Sequence, residues 1–342
     1  MKIYCITLLL LLGCLFQVFS QENENIQSDY TIAFGSCNKQ DKPQPFWNEI
    51  IKLSPNLFIW GGDNIYGDSE DMTKIANDYN IQNSNSDYQK LKKSTPILAT
   101  WDDHDYGKND AGGEWKLKKE SQQLFLDFLG VPKKDPRRKQ EGVYNSKVFE
   151  TEKGSIKIIV LDTRYFRSPL QESEIEGKRF EPYENGEGTI LGEAQWKWLE
   201  KELETNYSDF IIIVSSIQFL SSEHGFETWG NFPHEVSRLK NILINKAVRN
   251  AIILSGDRHI SEFSIAKVKG LKYPLVDFTS SGLTHSYTSY NGESNRYRIG
   301  RVISIPSFGL LKFNFDTNEV IMQIRGEKNV VLQELRRKYP KD

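Results

Sequence analysis

The chain has 342 residues, 38% apolar and 26% charged, which is enough to bury a full core and excludes collagenous, coiled-coil and disordered readings. Lys plus Arg number 44 against 46 Asp plus Glu, so no global basic field exists for wrapping nucleic acid, and sequence-specific nucleic-acid binding is not expected. The three cysteines, Cys5, Cys14 and Cys37, show neither C-x-x-C spacing nor the even count of a disulfide scaffold.

Residues 1–20 carry Lys2, then an apolar run over 6–16, then Gln17-Val18-Phe19-Ser20 before a polar, acidic stretch. This pattern predicts a secretory signal peptide cleaved near Ser20, and hence a secreted or periplasmic protein. The apolar run is shorter than the ~20 residues a bilayer needs, so no transmembrane segment is expected in the mature chain. Lipidation at Cys14 is an alternative, though the residues after it are mostly apolar where a tether is polar. Cleavage leaves Cys37 as the sole thiol, either a buried small hydrophobe or a ligand.

Residues 29–335 contain no linker, repeat or low-complexity tract and read as one domain, expected to be a monomer. Short β-branched apolar runs at 30–34, 57–60, 96–101, 156–161, 210–214 and 251–254 predict buried strands of an α/β sheet. Between them, apolar residues at three-to-four spacing predict helices over 45–53, 114–129, 193–205 and 235–248. After His259 the period changes to two, in runs at 260–268, 275–279, 301–305, 310–315, 320–324 and 330–335. A second, largely antiparallel sheet packed on the first is the expected outcome.

Each early strand is followed by a polar cluster, and in open α/β sheets the ligand crevice lies beyond the carboxyl ends of the strands. The clusters are Gly35-Ser36-Cys37-Asn38, Gly61-Gly62-Asp63-Asn64-Ile65-Tyr66, Asp102-Asp103-His104-Asp105, Asp162-Thr163-Arg164, Ser215-Ser216-Ile217-Gln218 and Ser255-Gly256-Asp257-Arg258-His259. Asp63, Asp103 and Asp257, with Asp102, Asp105 and Asp162 nearby, would put several like charges in one crevice at a cost of several kcal/mol. A bound cation is the simplest remedy. A single Asp after a strand is more often a helix cap than a ligand; recurrence at consecutive strand ends is what points to metal.

Six stretches, F-G-S-C-N at 34–38, G-G-D-N-I-Y-G-D at 61–68, W-D-D-H-D at 101–105, L-D-T-R at 161–164, L-S-G-D-R-H at 254–259 and S-S-G-L-T-H at 280–285, resemble the metallophosphoesterase superfamily and, within it, the alkaline phosphatase D (PhoD-like) branch. The resemblance implies a four-layer α-β-β-α sandwich of two mixed sheets with a dinuclear centre at the strand ends. It implies Fe3+ held partly by Cys37 and Tyr66, Ca2+ as the second metal, Asp63 bridging, Asp103 or its neighbour Asp102 as a further ligand, and Asp257 and His259 completing the site. Zn2+ or Mn2+ at the second site is the alternative. The chain has no room for the extra N-terminal β-domain of longer members, and Gln218 stands where other phosphoesterases carry a histidine. Asn64, Gln218, His224, Trp229 and His285 are supporting or substrate-contacting candidates.

The expected activity is hydrolysis of phosphoric esters, a metal-bridging hydroxide attacking phosphorus in line. His104 is the candidate general acid and Arg164 the candidate phosphate clamp, with Arg258 expected to point away. The stretches 165–183 and 221–233 are the expected rims, where Trp229 and Phe232 either face substrate or pack the loop. A phosphorylated small molecule, a phosphodiester and a phospholipid all remain open as substrates. The alternatives are a two-transition-metal phosphodiesterase or phospholipase on the same fold and a non-catalytic polyanion-binding module with a structural metal.

Overall fold

In a computed structural model the described residues are 28–184, 186–204 and 207–341. The expected leader at 1–20, with Cys5 and Cys14, lies outside them. No described helix is long and apolar enough to cross a membrane. The strands are β1 (Tyr30–Gly35), β2 (Leu57–Gly61), β3 (Ile97–Thr100), β4 (Asn145–Glu150), β5 (Ser155–Val160), β6 (Gln171–Glu172), β7 (Phe180–Glu181), β8 (Phe210–Val214), β9 (Ala251–Ser255), β10 (Ser261–Ala266), β11 (Leu275–Ser280), β12 (Arg298–Ile303), β13 (Phe308–Asn314), β14 (Glu319–Arg325) and β15 (Val331–Lys338). The helices are α1 (Phe46–Lys52), α2 (Met72–Ser84), α3 (Ser86–Ser94), α4 (Asp103–Tyr106), α5 (Lys118–Phe128), α6 (Gly192–Glu204) and α7 (Pro233–Asn245).

Two mixed sheets stack face to face. One runs β15-β14-β13-β1-β2-β3 and the other β12-β10-β11-β9-β8-β5-β4. The period-two alternation of strand side chains sorts β1 and β2 between two cores. Ile32, Phe34, Leu57 and Ile59 face the second sheet, joining β5, β8, β9 and the Trp196, Leu199 and Leu203 face of α6. Ala33, Phe58 and Trp60 face outward under α1, α2, α3 and α5, against Trp47, Tyr88 and Phe128. Burying each such large apolar side chain contributes about 1.5–3 kcal/mol, which explains near-continuous apolar runs in strands covered on both faces.

Helices outside and paired sheets inside make the expected α-β-β-α sandwich, but the division of strands differs from the expectation. The early strands do not form one sheet and the late strands another. Instead β1–β3 and β5-β8-β9 are separate parallel trios: antiparallel β13–β15 extend the first, while the second continues through the parallel β11 to antiparallel β10 and β12 and carries antiparallel β4 on its other edge. After β3 the chain crosses to the other sheet, a step that leaves no trace in hydrophobic period. The sheets are tied together at the ends that carry the polar clusters: Ser36 bridges Ser281, and the Thr100 hydroxyl donates to the Leu161 carbonyl at 2.7 Å.

Helices α2 and α3 escape the periodicity reading because their buried faces hold few apolar residues, Ile75 and Tyr79 in one and Tyr88 and Leu91 in the other. Caps define them instead. The Asp71 carboxylate accepts from the Thr73 and Lys74 amides, and the Asn85 side chain accepts from those of Asp87 and Tyr88. β4 escapes because it is a polar edge strand.

Candidate metal centre

At the carboxyl ends of the trios the backbone turns sharply. Cys37, Asp63, Asp257 and His259 all adopt positive φ, between 49° and 65°. This region is uncommon for any side-chain-bearing residue, and its clustering at one rim marks strain held for a functional geometry. Between them Gly62, at φ 103°, lies where a Cβ would come within 2.6 Å of the Asp102 Cβ. Only glycine lets β2 turn this close to β3.

The strand ends converge as expected. Asp63 is central: one carboxylate oxygen lies 3.4 Å from the Cys37 sulfur and accepts from the Tyr66 hydroxyl at 3.1 Å, while the other accepts from the His104 amide at 3.3 Å. The Tyr66 hydroxyl lies 2.8 Å from His259 Nε2. Three-residue donor groups, each with ligand atoms within 4.8 Å of one another, are Cys37-Asp63-His259, Asp63-Asp103-His104, Asp102-Asp103-Asp257 and Asp103-Asp110-Glu227. Asp63 therefore joins a thiol, phenol and imidazole end to a carboxylate end.

Burial pushes the Cys37 thiol up to about 12 and holds Asp63 and Asp257 well above the usual carboxylate range, Asp63 further raised by Cys37 and Asp257 by Asp102 and Asp103. Burial and neighbouring anions likewise raise the Tyr66 phenol, and burial, with His104 beside it, lowers His259 to about 4. Without a cation the ionised forms of these groups are disfavoured together. A multivalent cation reverses that preference, because thiolate, phenolate and carboxylate are its ligands. The buried Asp102 Oδ2, which has no hydrogen-bond partner, is a second sign that the donor set fits metal.

The two aspartates after β3 part company. Asp103 belongs to three of the four donor groups. Burial works against its charge, but Arg164, His104 and the Asp110 amide together hold it below its ordinary value. Asp102 is fully buried, with one oxygen bound by Arg164 Nε at 2.5 Å and by the Ser216 hydroxyl at 2.7 Å, so only its other oxygen faces the cluster. Asp105 and Asp162 turn away: Asp105 accepts from the Asp102 amide and the Asn64 side chain, and Asp162 from the amides of Val143, Arg164 and Tyr165. Asn64 thus supports the turn behind Asp63.

Arg164 is not placed as a phosphate clamp. It has 0% side-chain exposure and spans Asp102 and Glu227, and Arg167 also pairs with Glu227 at 2.8 Å. Two buried acids required its guanidinium, a demand the linear pattern does not display. Arg258, expected to point away, lines the cavity of about 300 Å3 over the cluster together with Asp103, His104, Arg179, Asp257 and His259. Its guanidinium sits 4.1 Å from the centre of the Phe226 ring and donates to both Glu293 oxygens at 2.9 and 3.0 Å.

His104 lines the same cavity. Its Nδ1 lies 2.7 and 2.8 Å from the two Asp68 oxygens, and its ring stacks on Tyr66. Burial opposes its charge, but Asp63, Asp68 and Asp103 outweigh that cost and push it up to about 10. Asp68 lies in the 61–68 motif, so its residue type was visible while its partner was not. Glu227, Asp110 and Arg179 were missed because they come from loops without a strand-end pattern.

The remaining candidates divide. His285 packs edge-on against Tyr66 and His259, with burial lowering it to about 3. Gln218 is buried away from the cluster and donates to Glu262 and Thr279. His224 is buried, its Nδ1 accepting from the Phe226 amide, and so braces the loop. Trp229 and Phe232 are core residues: Trp229 packs on Trp196 and Phe219 and Phe232 stacks on Tyr183, which decides the open rim question for packing.

Alkaline phosphatase D of Bacillus subtilis (strain 168) is 22% identical over 304 residues, covering 74% of this chain and 51% of the relative, so the chain spans about half the length of that curated relative. The solved structure of PhoD matches with a TM-score of 0.71 and 17% identity, covering 91% of this chain and 69% of that one. GAP50, described as the anchor in the inner membrane complex of Plasmodium, matches at TM-score 0.60 and 15% identity over 92% and 90% of the two chains. A dimetal phosphatase from Danio rerio matches at 0.56 and 11% over 92% and 100%. At these identities the structural likenesses establish the fold. The family model for PhoD-like phosphatases matches residues 32–298, a span that runs from β1 to β12 and includes every donor described above, and the chain belongs to the PhoD-like phosphatase family.

Proposed function

We propose that the protein is a secreted or periplasmic, metal-dependent phosphoric ester hydrolase. The observation that carries this reading is the Asp63 carboxylate, which reaches the Cys37 and Tyr66 groups with one oxygen and the Asp103 and His104 side with the other. Cys37, Tyr66, His259 and Asp63 suit ferric iron, and Asp63, Asp103 and Asp257 suit calcium, because anionic sulfur and phenolate match a high-charge transition metal and carboxylates match a hard cation. Zinc or manganese at the carboxylate end is the alternative. When bound, such ions supply an acidified water and positive charge at the phosphoryl oxygens.

The chain's own groups do the rest. Asp68 orients the His104 imidazole through Nδ1, leaving Nε2 as the atom that gives a proton to the departing oxygen. Arg258, held by Glu293 and Phe226, binds a phosphate oxygen with a preorganised fork, and Arg179 faces the same cavity from the opposite rim while paired with Asp110. Arg164 and Arg167 neutralise Asp102 and Glu227 and so fix the wall behind Asp103. Metal analysis of purified protein, with hydrolysis of p-nitrophenyl phosphate and bis(p-nitrophenyl) phosphate measured on the same sample, tests the reading. Iron-bearing protein that cleaves either ester supports it; metal-free protein with no cleavage after reloading with iron and calcium, zinc or manganese overturns it.

A further inference from the structure

Beside the cavity over the metal centre lies a second, larger cleft of about 480 Å3, lined by Ile175, Lys178, Phe180, Pro182, Glu223 and Phe226 among others. Phe226 lines both cavities. On its metal-centre side the ring carries the Arg258 guanidinium. The Glu293 that holds Arg258 precedes Ser294 in the lining of the second cleft.

The hairpin of β6 and β7 forms the opposite wall. Arg179, just before β7, lines the metal-centre cavity, while Lys178 before it and Phe180, Glu181 and Pro182 after it line the second cleft. The hairpin is pinned in place, since the amides of both Arg179 and Phe180 donate to the Gly225 carbonyl, at 2.8 and 3.0 Å. At the far end Arg296 pairs with Glu223, donating at 2.6 Å, so two charges there cancel. Ile175, which is 55% exposed, with Phe180, Pro182 and Phe226 forms an apolar strip along the cleft, flanked by Lys178, Glu181, Ser222, Asn231 and Ser294.

We infer that this cleft is the subsite for an aromatic arm of a phosphodiester whose phosphate sits between Arg258 and Arg179. The inference deepens the hydrolase reading and rests on it for the position of the phosphate. A bare phosphate or a small alkyl ester would fill only the cavity over the metals. A cleft of this size, with an apolar strip between polar walls and opening beside two arginines, is suited to an organic substituent attached to the bound phosphate. Burying an aryl group against these side chains favours it by roughly tenfold or more in affinity over a methyl group.

The test is calorimetric titration of the metal-loaded protein with diphenyl phosphate and with dimethyl phosphate, for wild type, Phe180→Ala and Ile175→Asp. The wild type is expected to bind the diphenyl ester at least about tenfold more tightly, and both substitutions are expected to abolish most of that preference. Ile175 is exposed, so the Ile175→Asp variant reports even if Phe180→Ala misfolds. Equal affinities in the wild type, or a preference that survives Ile175→Asp and a folded Phe180→Ala, overturn the subsite. A preference lost in the variants, in metal-loaded protein that cleaves neither p-nitrophenyl phosphate nor bis(p-nitrophenyl) phosphate, upholds the subsite and refutes the hydrolase reading instead.

Discussion

Among the described residues, Cys37, Asp63, Tyr66 and His259 form no ion pair with an arginine or lysine, and their hydrogen bonds include those to one another, to Ser36 and Ser281, and to the His104 amide. At the other end of the same cluster, Asp102 and Glu227 are gripped by Arg164 and Arg167, and Asp110 by Arg179. The first group is brought out of water with His104 beside it but no arginine or lysine ion pair, and burial drives its acids toward their neutral forms. At the second end burial raises Asp102 to about 7 and Asp110 to about 6, and the guanidinium counter-ions that the chain supplies oppose that rise. On the proposed function, metal dependence is expected to concentrate at the first end and architectural stability at the second.

Asp63→Asn is the most severe way to break this contrast, because Asp63 alone reaches both ends. It is expected to lower hydrolysis by ~10⁴-fold and to reduce the content of both metals, measured by elemental analysis on the assayed sample. Retention of both metals with near wild-type kcat would show that the ends are independent.

His104→Asn leaves the metal donors in place and removes the proposed proton donor. It is expected to lower kcat by ~10²–10⁴-fold on esters of basic alkyl alcohols, with a smaller loss on nitrophenyl esters, whose leaving group departs without a proton. An equal loss on both would place His104 on a phosphoryl oxygen.

Arg164→Met probes the other end. It strands Asp102 and Glu227 as buried acids without their shared partner and is expected to cost about 3–5 kcal/mol of unfolding free energy in urea titrations. A variant as stable as the parent would mean that these acids are not held by Arg164.

The mildest change, Tyr66→Phe, sharpens the first end. If the phenol serves ferric iron as phenolate, the parent is coloured by charge transfer. The variant is then expected to bleach while losing no more than ~10-fold in activity, since Cys37, Asp63 and His259 remain. Unchanged visible absorption at equal iron content would remove Tyr66 from the ligand set.

Residue types and order along the chain were enough to expect Cys37, Asp63, Tyr66, the Asp102-Asp103 pair, Asp257 and His259 at one rim, because each follows a strand whose apolar run is plain in one dimension and strand ends of an α/β layer must meet there. Hydrophobic period found two packed sheets and the α6 face of Trp196, Leu199 and Leu203, while the four-layer sandwich came from the family resemblance. Tertiary structure alone decided which sheet each strand joined, since hydrophobic period reports burial and not partner. It also decided the fate of the arginines. Arg164 and Arg258 each stand beside a metal donor or a strand end in the sequence, yet one is drawn inward by Asp102 and Glu227 and the other is laid across Phe226 and faces the cavity. Glu227 lies 63 residues from the Arg164 it binds. A long flexible side chain takes the direction set by the nearest desolvated opposite charge, and that neighbour exists only once the chain has folded.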